Sequence, residues 1–127
     1  MAKVSRESAA HVDDHGPIVE RHEDVNGTTI QFLTVREDVD AAPLLKGLPD
    51  DRCPCEHWGY VFSGRLTFRF ADHKETFEAG DAFHITGGHV PTSEPGTEYL
   101  QFSPADDLHH VSETIMGNLR ALQGVGA

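Results

Sequence analysis

The stretch YVFSGRLTFRF, residues 60–70, decides the fold. Leu66, Phe68 and Phe70 alternate with Arg65, Thr67 and Arg69, the period-two pattern of a strand with one buried face. Ser63-Gly64 separates it from HWGYVF, so two strands meet at a turn. Upstream, IVERHEDV and TTIQFLTVRE flank Asn26-Gly27, a dipeptide that favours a hairpin because both residues tolerate positive φ. Downstream, ETFEAGD, AFHI and TEYLQF are further β-prone pieces, interrupted by Gly87-Gly88 and Glu94-Pro95-Gly96. The intervening DVDAAPLLKGLPDDRCP holds three prolines and a glycine and reads as a long loop. Many short strands with frequent turns predict an all-β sandwich or barrel over residues 17–104.

The two ends differ from this middle. Residues 1–16 are polar, with His11, Asp13, Asp14 and His15 ahead of Gly16-Pro17, and read as a flexible arm. At the other end Ser103, Pro104 and Asp106 read as the N-cap, first helical position and near capping box of a helix. Leu108, Val111, Ile115, Leu119 and Leu122 recur at helical spacing. Residues 105–127 therefore predict an amphipathic helix and tail, its apolar stripe packed on the barrel or on a second subunit. Gly117 weakens that helix midway.

At 127 residues the chain fits one domain with one core. Its apolar runs are far shorter than the ~20 positions of a membrane span. The N-terminus lacks the apolar centre of a signal peptide, so a cytoplasmic location is expected. Ten Lys and Arg against 21 Asp and Glu give a formal charge of −11, which repels phosphate backbones and anionic lipid. Neither nucleic acid nor membrane is an expected partner.

Both cysteines fall in CPCEH, residues 53–57. In an extended segment alternate residues share a face, so Asp51, Cys53, Cys55 and His57 would line one wall. Thiolate and imidazole are borderline-soft donors that suit zinc or iron. Two other readings stand beside a metal site: ordinary burial of small apolar thiols, and a thiol redox pair. The last lacks the two-residue spacing and helix start that lower a thiol pKa. Trp58, Tyr60 and Phe62 share a strand face and read as core. His84 alternates with Phe83 and Ile85 and reads as outer wall. Tyr99 and Gln101 share a face that, turned inward, would supply polar groups to a barrel mouth.

YVFSGRLTFRF, a turn, and EAGDAFHITGGHVP together resemble the cupin superfamily. The likeness covers about residues 50–104. It implies an all-β fold, a double-stranded β-helix (cupin or jelly-roll) barrel, here with a C-terminal α-helix. The family's two motifs carry two histidines one residue apart, a glutamate, a glycine, then Gly-Asp and a third histidine. Anchored on Gly64, the glutamate position falls on His57, the second histidine position on Cys53 and the first on Asp51. Cys55 has no counterpart. Anchored on Gly80-Asp81, the third histidine position holds Pro91, with His89 two residues earlier on the same facing. The resemblance thus implies one divalent transition metal, zinc or iron foremost, held by a set drawn from Cys53, Cys55, His57 and His89. It further implies a small polar ligand inside the barrel and a homodimer, with metal-dependent chemistry or metal-aided binding, a non-catalytic sensor or binding module, and a metal-free barrel acting through shape alone all open.

Overall fold

The computed structural model describes residues 3–123. Among the described residues, ten strands form two facing antiparallel sheets: β1 (His11–Asp14), β2 (Ile18–Val25), β3 (Thr28–Val35), β4 (Val39–Asp40), β5 (His57–Ser63), β6 (Arg65–Arg69), β7 (Lys74–Glu78), β8 (Ala82–Ile85), β9 (Val90–Ser93) and β10 (Glu98–Pro104). One sheet runs β1-β2-β3-β10-β5-β8 and the other β4-β9-β6-β7. A helix, α1 (Ala105–Leu122), follows. The architecture is the expected jelly roll with a C-terminal helix. Among the described residues, no helix is long and apolar enough to cross a membrane.

Local chemistry explains the turns. Asn26 and Gly27 adopt φ of 48° and 81°, the two left-handed residues that a tight hairpin between right-twisted strands demands. The long loop folds into two 3-10 turns, Ala42–Leu44 and Pro49–Asp51, each with proline near its start. Residues 11–14, expected within a flexible arm, instead pair with β2 as an edge strand, His11 opposite His22 and Asp14 opposite Val19. The first two residues of that arm and the last four of the tail lie outside the described residues.

Two apolar clusters hold the molecule together. Between the sheets, Leu66 and Phe68 point inward as their alternation predicts and meet Val35, Val61, Phe83, Ile85 and Tyr99. Phe68 is the hub, with ring centroids 5.5 Å from Phe83, 6.2 Å from Phe77 and 5.1 Å from His89. The second cluster joins the long loop to the helix, burying Leu45, Leu48, Cys53, Cys55, Val90, Leu108 and Val111. The first half of the helical stripe therefore packs on its own barrel and is not free for a second subunit. Asn118 fastens the second half, its Nδ2 donating to the carbonyls of Leu44 (2.7 Å) and Lys46 (2.8 Å). Ser103 does not cap the helix; Pro104 occupies that position without a side-chain bond, and the serine hydroxyl serves elsewhere.

One expectation is reversed. Trp58, Tyr60 and Phe62 are not core but exposed on the outer face of the larger sheet. His57, Gly59 and Val61 take the inner face instead. Gly59 is required there, since a Cβ would collide with the Phe83 ring and the Leu100 carbonyl.

Because Phe68 touches rings on three sides, Phe68→Ala should lower stability by about 3–5 kcal/mol. Urea denaturation measures this, and a loss much below that range would mean that the cluster collapses into the cavity.

Candidate metal centre

Three of the four candidate ligands converge. A hydrogen-bonded bridge joins Cys53 to His89: the Cys53 N–H donates to the His89 carbonyl (2.9 Å), and the Gly88 N–H to the Cys53 carbonyl (2.8 Å). β5 begins at His57 and aims its imidazole at the same point. The ligand atoms of Cys53, His57 and His89 all lie within 4.8 Å of one another, and Cys53 Sγ is 3.8 Å from His57 Nε2. At the tetrahedral angle an ion 2.0–2.3 Å from each donor sets them roughly 3.3–3.6 Å apart, so the cluster is a little wider than a closed coordination shell.

Cys55 does not join them. Its Sγ turns to the Glu56 carbonyl (3.5 Å) and packs in the loop–helix cluster. The expected common wall of Asp51, Cys53, Cys55 and His57 presupposes a continuous strand, whereas residues 54–56 are irregular and Asp51 closes a 3-10 turn with φ of 54°. Pro54 has no N–H to continue a ladder. Asp51 Oδ1 accepts the Gly47 N–H at 2.9 Å. Cys55 contributes through its backbone, whose N–H faces the Cys53 sulfur and favours its thiolate.

Both imidazoles are oriented by their other nitrogen. His89 Nδ1 lies 2.8 Å from the Thr86 carbonyl, which can only accept, so Nδ1 carries the proton and Nε2 the lone pair. His57 Nδ1 is 2.7 Å from Ser103 Oγ, the task that removes this serine from helix capping. Such partners set the tautomer of metal-ligating histidines. Among the described residues, His89 Nε2 is the one buried side-chain N or O atom with no hydrogen-bond partner. A buried acceptor left unpaired costs about 1–3 kcal/mol, and a cation would satisfy it. The residues present fit a metal.

Solvent is excluded: His89 is 0%, His57 4% and Cys53 5% exposed. Burial, helped by the neighbouring His89, depresses the His57 imidazole to about 3. Burial also lowers His89, against the favourable Thr86 carbonyl, and raises Cys53 to about 11 and Cys55 to about 12. Without an ion the site thus rests as two neutral imidazoles and a thiol.

Tyr99 and Gln101, expected at a barrel mouth, lie on the inner face at 6% and 8% exposure. Tyr99 packs 6.5 Å from Phe83, and burial raises its hydroxyl pKa. Gln101 Nε2 donates to Gln31 Oε1, whose own amide donates to Glu20. A surface cleft of about 440 Å³ lies instead beside the bridge, lined by Arg52, Pro54, Phe70, Asp72, Gly87 and Gly88 among others. Sequence reading did not single it out; the Pro54 and Gly87-Gly88 breaks that form it were visible, their proximity was not. His84 stands outside, stacked 4.9 Å from Trp58 and 2.7 Å from Glu56.

No family model and no curated protein matches the chain. Solved structures do. An RmlC-like cupin from Shewanella frigidimarina matches with a TM-score of 0.53 at 16% identity over 75% of this chain and 84% of that one. A cupin superfamily protein from Desulfitobacterium hafniense matches at 0.53 and 10% identity over 70% and 78%. A putative ethanolamine utilization protein from Salmonella typhimurium matches at 0.53 and 14% over 69% and 70%. At such identities the likeness establishes the fold, which is that of the cupins.

The pKa shifts give the metal-free protein a stability plateau. A folded His57 at about 3 against an ordinary 6.5 means that the unfolded chain binds the extra proton in between, so stability falls as pH drops below 6.5. Cys53 at about 11 against 9.0 acts oppositely: the unfolded chain loses its proton first, and stability falls as pH rises above 9.0. Each group contributes a slope of up to about 1.4 kcal/mol per pH unit. His15, raised by its bond to Glu20, opposes the acid limb, but solvent screens it. Denaturation midpoints across pH should show both limbs, and stability that rises without limit into alkali would contradict the buried thiol.

Proposed function

We propose that this cupin-fold protein is a metalloprotein holding one divalent transition metal through Cys53 Sγ, His57 Nε2 and His89 Nε2. The observation that carries the reading is the His89 lone pair, buried, fixed by Thr86 and without a partner among the described residues. A thiolate and two imidazoles suit zinc first and iron second. When bound, such an ion supplies Lewis acidity to whatever takes its remaining coordination position. The chain's own residues do the rest. Ser103 and Thr86 hold the two rings, Cys53 gives up its proton on binding, and Phe68 packs edge-on at 5.1 Å against His89 to keep water out.

A small polar molecule is the ligand class that fits the adjoining cleft. Arg52 and Asp72 offer one charge of each sign, and Gly87-Gly88 offer backbone. Phe70 stands between cleft and site, 6.2 Å from His89 and stacked on His73 at 4.7 Å. The ligand is assigned to this cleft and not to Tyr99 and Gln101, whose polar groups face the core and Gln31. A second reading, a non-catalytic sensor or binding module, is favoured by one observation, the burial of all three donors.

Elemental analysis of the native protein should find about one ion per chain, and Cys53→Ser or His89→Ala should lose most of it. Ser103→Ala should weaken binding about 10–100-fold, the usual effect of removing an orienting partner. A protein that carries no zinc, iron, nickel or copper, and takes up none on reconstitution, would sink the reading. The two roles separate on the cobalt-substituted protein: a visible spectrum that shifts with azide reports an open position and supports the enzyme, whereas an indifferent one supports the sensor.

A further inference from the structure

The outer face of the six-stranded sheet carries aromatic rings where a solvated antiparallel sheet is ordinarily polar. Trp58, Tyr60, Phe62 and Phe102 stand there 45%, 41%, 42% and 36% exposed. β5 supplies the first three in a line, and register sets Phe102 of β10 beside Trp58. Two of these rings already hold a nitrogen-bearing side chain from the chain itself. The Arg6 guanidinium lies 5.8 Å over the Phe62 ring and pairs with Glu98 at 2.9 Å. The His84 imidazole stacks on Trp58 with centroids 4.9 Å and planes 21° apart, its Nε2 2.7 Å from Glu56. Each is the same kind of seat, a ring on which a flat nitrogen-bearing group stacks and a carboxylate that bonds it. Tyr60 lies between the two seats on β5, and among the described residues neither it nor Phe102 has a cation over its ring.

We propose that this face binds an extended, arginine-bearing segment of another protein, whose guanidinium groups stack on Tyr60 and Phe102 as Arg6 does on Phe62. The proposal is independent of the metal. From Trp58 to Phe62 the strand runs about 13 Å, longer than one free amino acid and matched by a short peptide. Side chains on one face of an extended peptide repeat about every 7 Å, comparable to the 5.4 Å between the Tyr60 and Phe62 ring centroids. One peptide strand can therefore address successive rings.

Charge selects a basic occupant. A formal charge of −11 draws in a cationic segment and repels both an acidic one and a second copy of this chain. Close to the rings, Glu98 and Glu56 supply that charge locally. Arg21, the other arginine on this face among the described residues, stands three strands from Tyr60, about 14 Å away, too far to oppose a guanidinium there. Arginine fits better than lysine, because its flat, weakly hydrated head stacks on a ring while its edge still bonds a carboxylate.

Trp58 is the sole tryptophan of the chain, so its fluorescence reads this face alone. A blocked synthetic peptide alternating arginine with threonine should change that emission saturably. The same peptide with lysine for arginine should bind several-fold more weakly, and with glutamate not at all. Arg6→Ala, in the exposed arm, should tighten binding, because it opens the seat made by Phe62 and Glu98 to the peptide. Tyr60→Ala with Phe102→Ala should weaken binding about tenfold while the far-ultraviolet circular dichroism stays unchanged; should that variant misfold, Arg6→Ala and the peptide series still decide. An arginine peptide without saturable effect, a glutamate peptide with an equal one, or an Arg6→Ala protein that binds no better would overturn the proposal. So would a wild type that sediments at twice 14.0 kDa with Trp58 shielded from acrylamide, since a second copy then holds the face.

Discussion

A single imidazole fixes the register of β5 and, through it, both faces of the larger sheet. Side chains alternate strictly along a strand, so a one-residue slip exchanges inside for outside. With His57 turned inward to Ser103 and Cys53, Gly59 and Val61 must follow it, and Trp58, Tyr60 and Phe62 must face out. Hydrophobicity alone would choose the opposite register, burying three aromatic rings in place of a histidine, a glycine and a valine. The native register therefore gives up apolar burial worth about 25 cal/mol per Å². What compensates is steric as well as chemical: Gly59 makes room for Phe83 in a core that Phe68 already fills.

The same logic governs the cluster's resting state. Three potential donors in a dry interior avoid charge by staying neutral, at the expense of one unpaired nitrogen. Their positions are set before any ion arrives. The backbone bridge holds Cys53 against His89, the 47–52 loop is wound tightly with Asp50 and Asp51 at positive φ, and the helix buries Cys55 from behind. Strain in that loop is consistent with a site whose geometry is imposed by its surroundings.

Much of this was legible from sequence, for reasons that can be named. Asn26-Gly27 and the alternation of Leu66 and Phe68 are local signals, and local signals gave the hairpin and the inner face of β6. His57 and His89 stood out because the spacing resembled a metal motif. Cys55 joins them only if strand alternation extends through Pro54, where no ladder exists. Ring size argues for Trp58 as core, but its place next to His57 argues otherwise, since an inward His57 requires an outward Trp58. Ser103 had two possible tasks, a cap or a partner for an imidazole across the barrel, and only the pairing of β10 with β5 decides between them. The cleft beside Pro54 depends on two loops meeting, which no local pattern encodes.

β5 thus ties together two surfaces that are usually treated apart. His57 and Trp58 are adjacent, and beside them the Gly59 backbone lies so close to the Leu100 carbonyl and the Phe83 ring that a side chain there would collide with both. The His57 ring is tied on both counts: its own rotation meets the 2.7 Å bond to Ser103, and its backbone also carries Trp58 with its stack on His84. Because Ser103 belongs to β10, whose neighbour Phe102 lies on the outer face, even that bond leads back to the same sheet. The buried cluster and the exposed aromatic face are in this sense two sides of one pair of strands, β5 and β10.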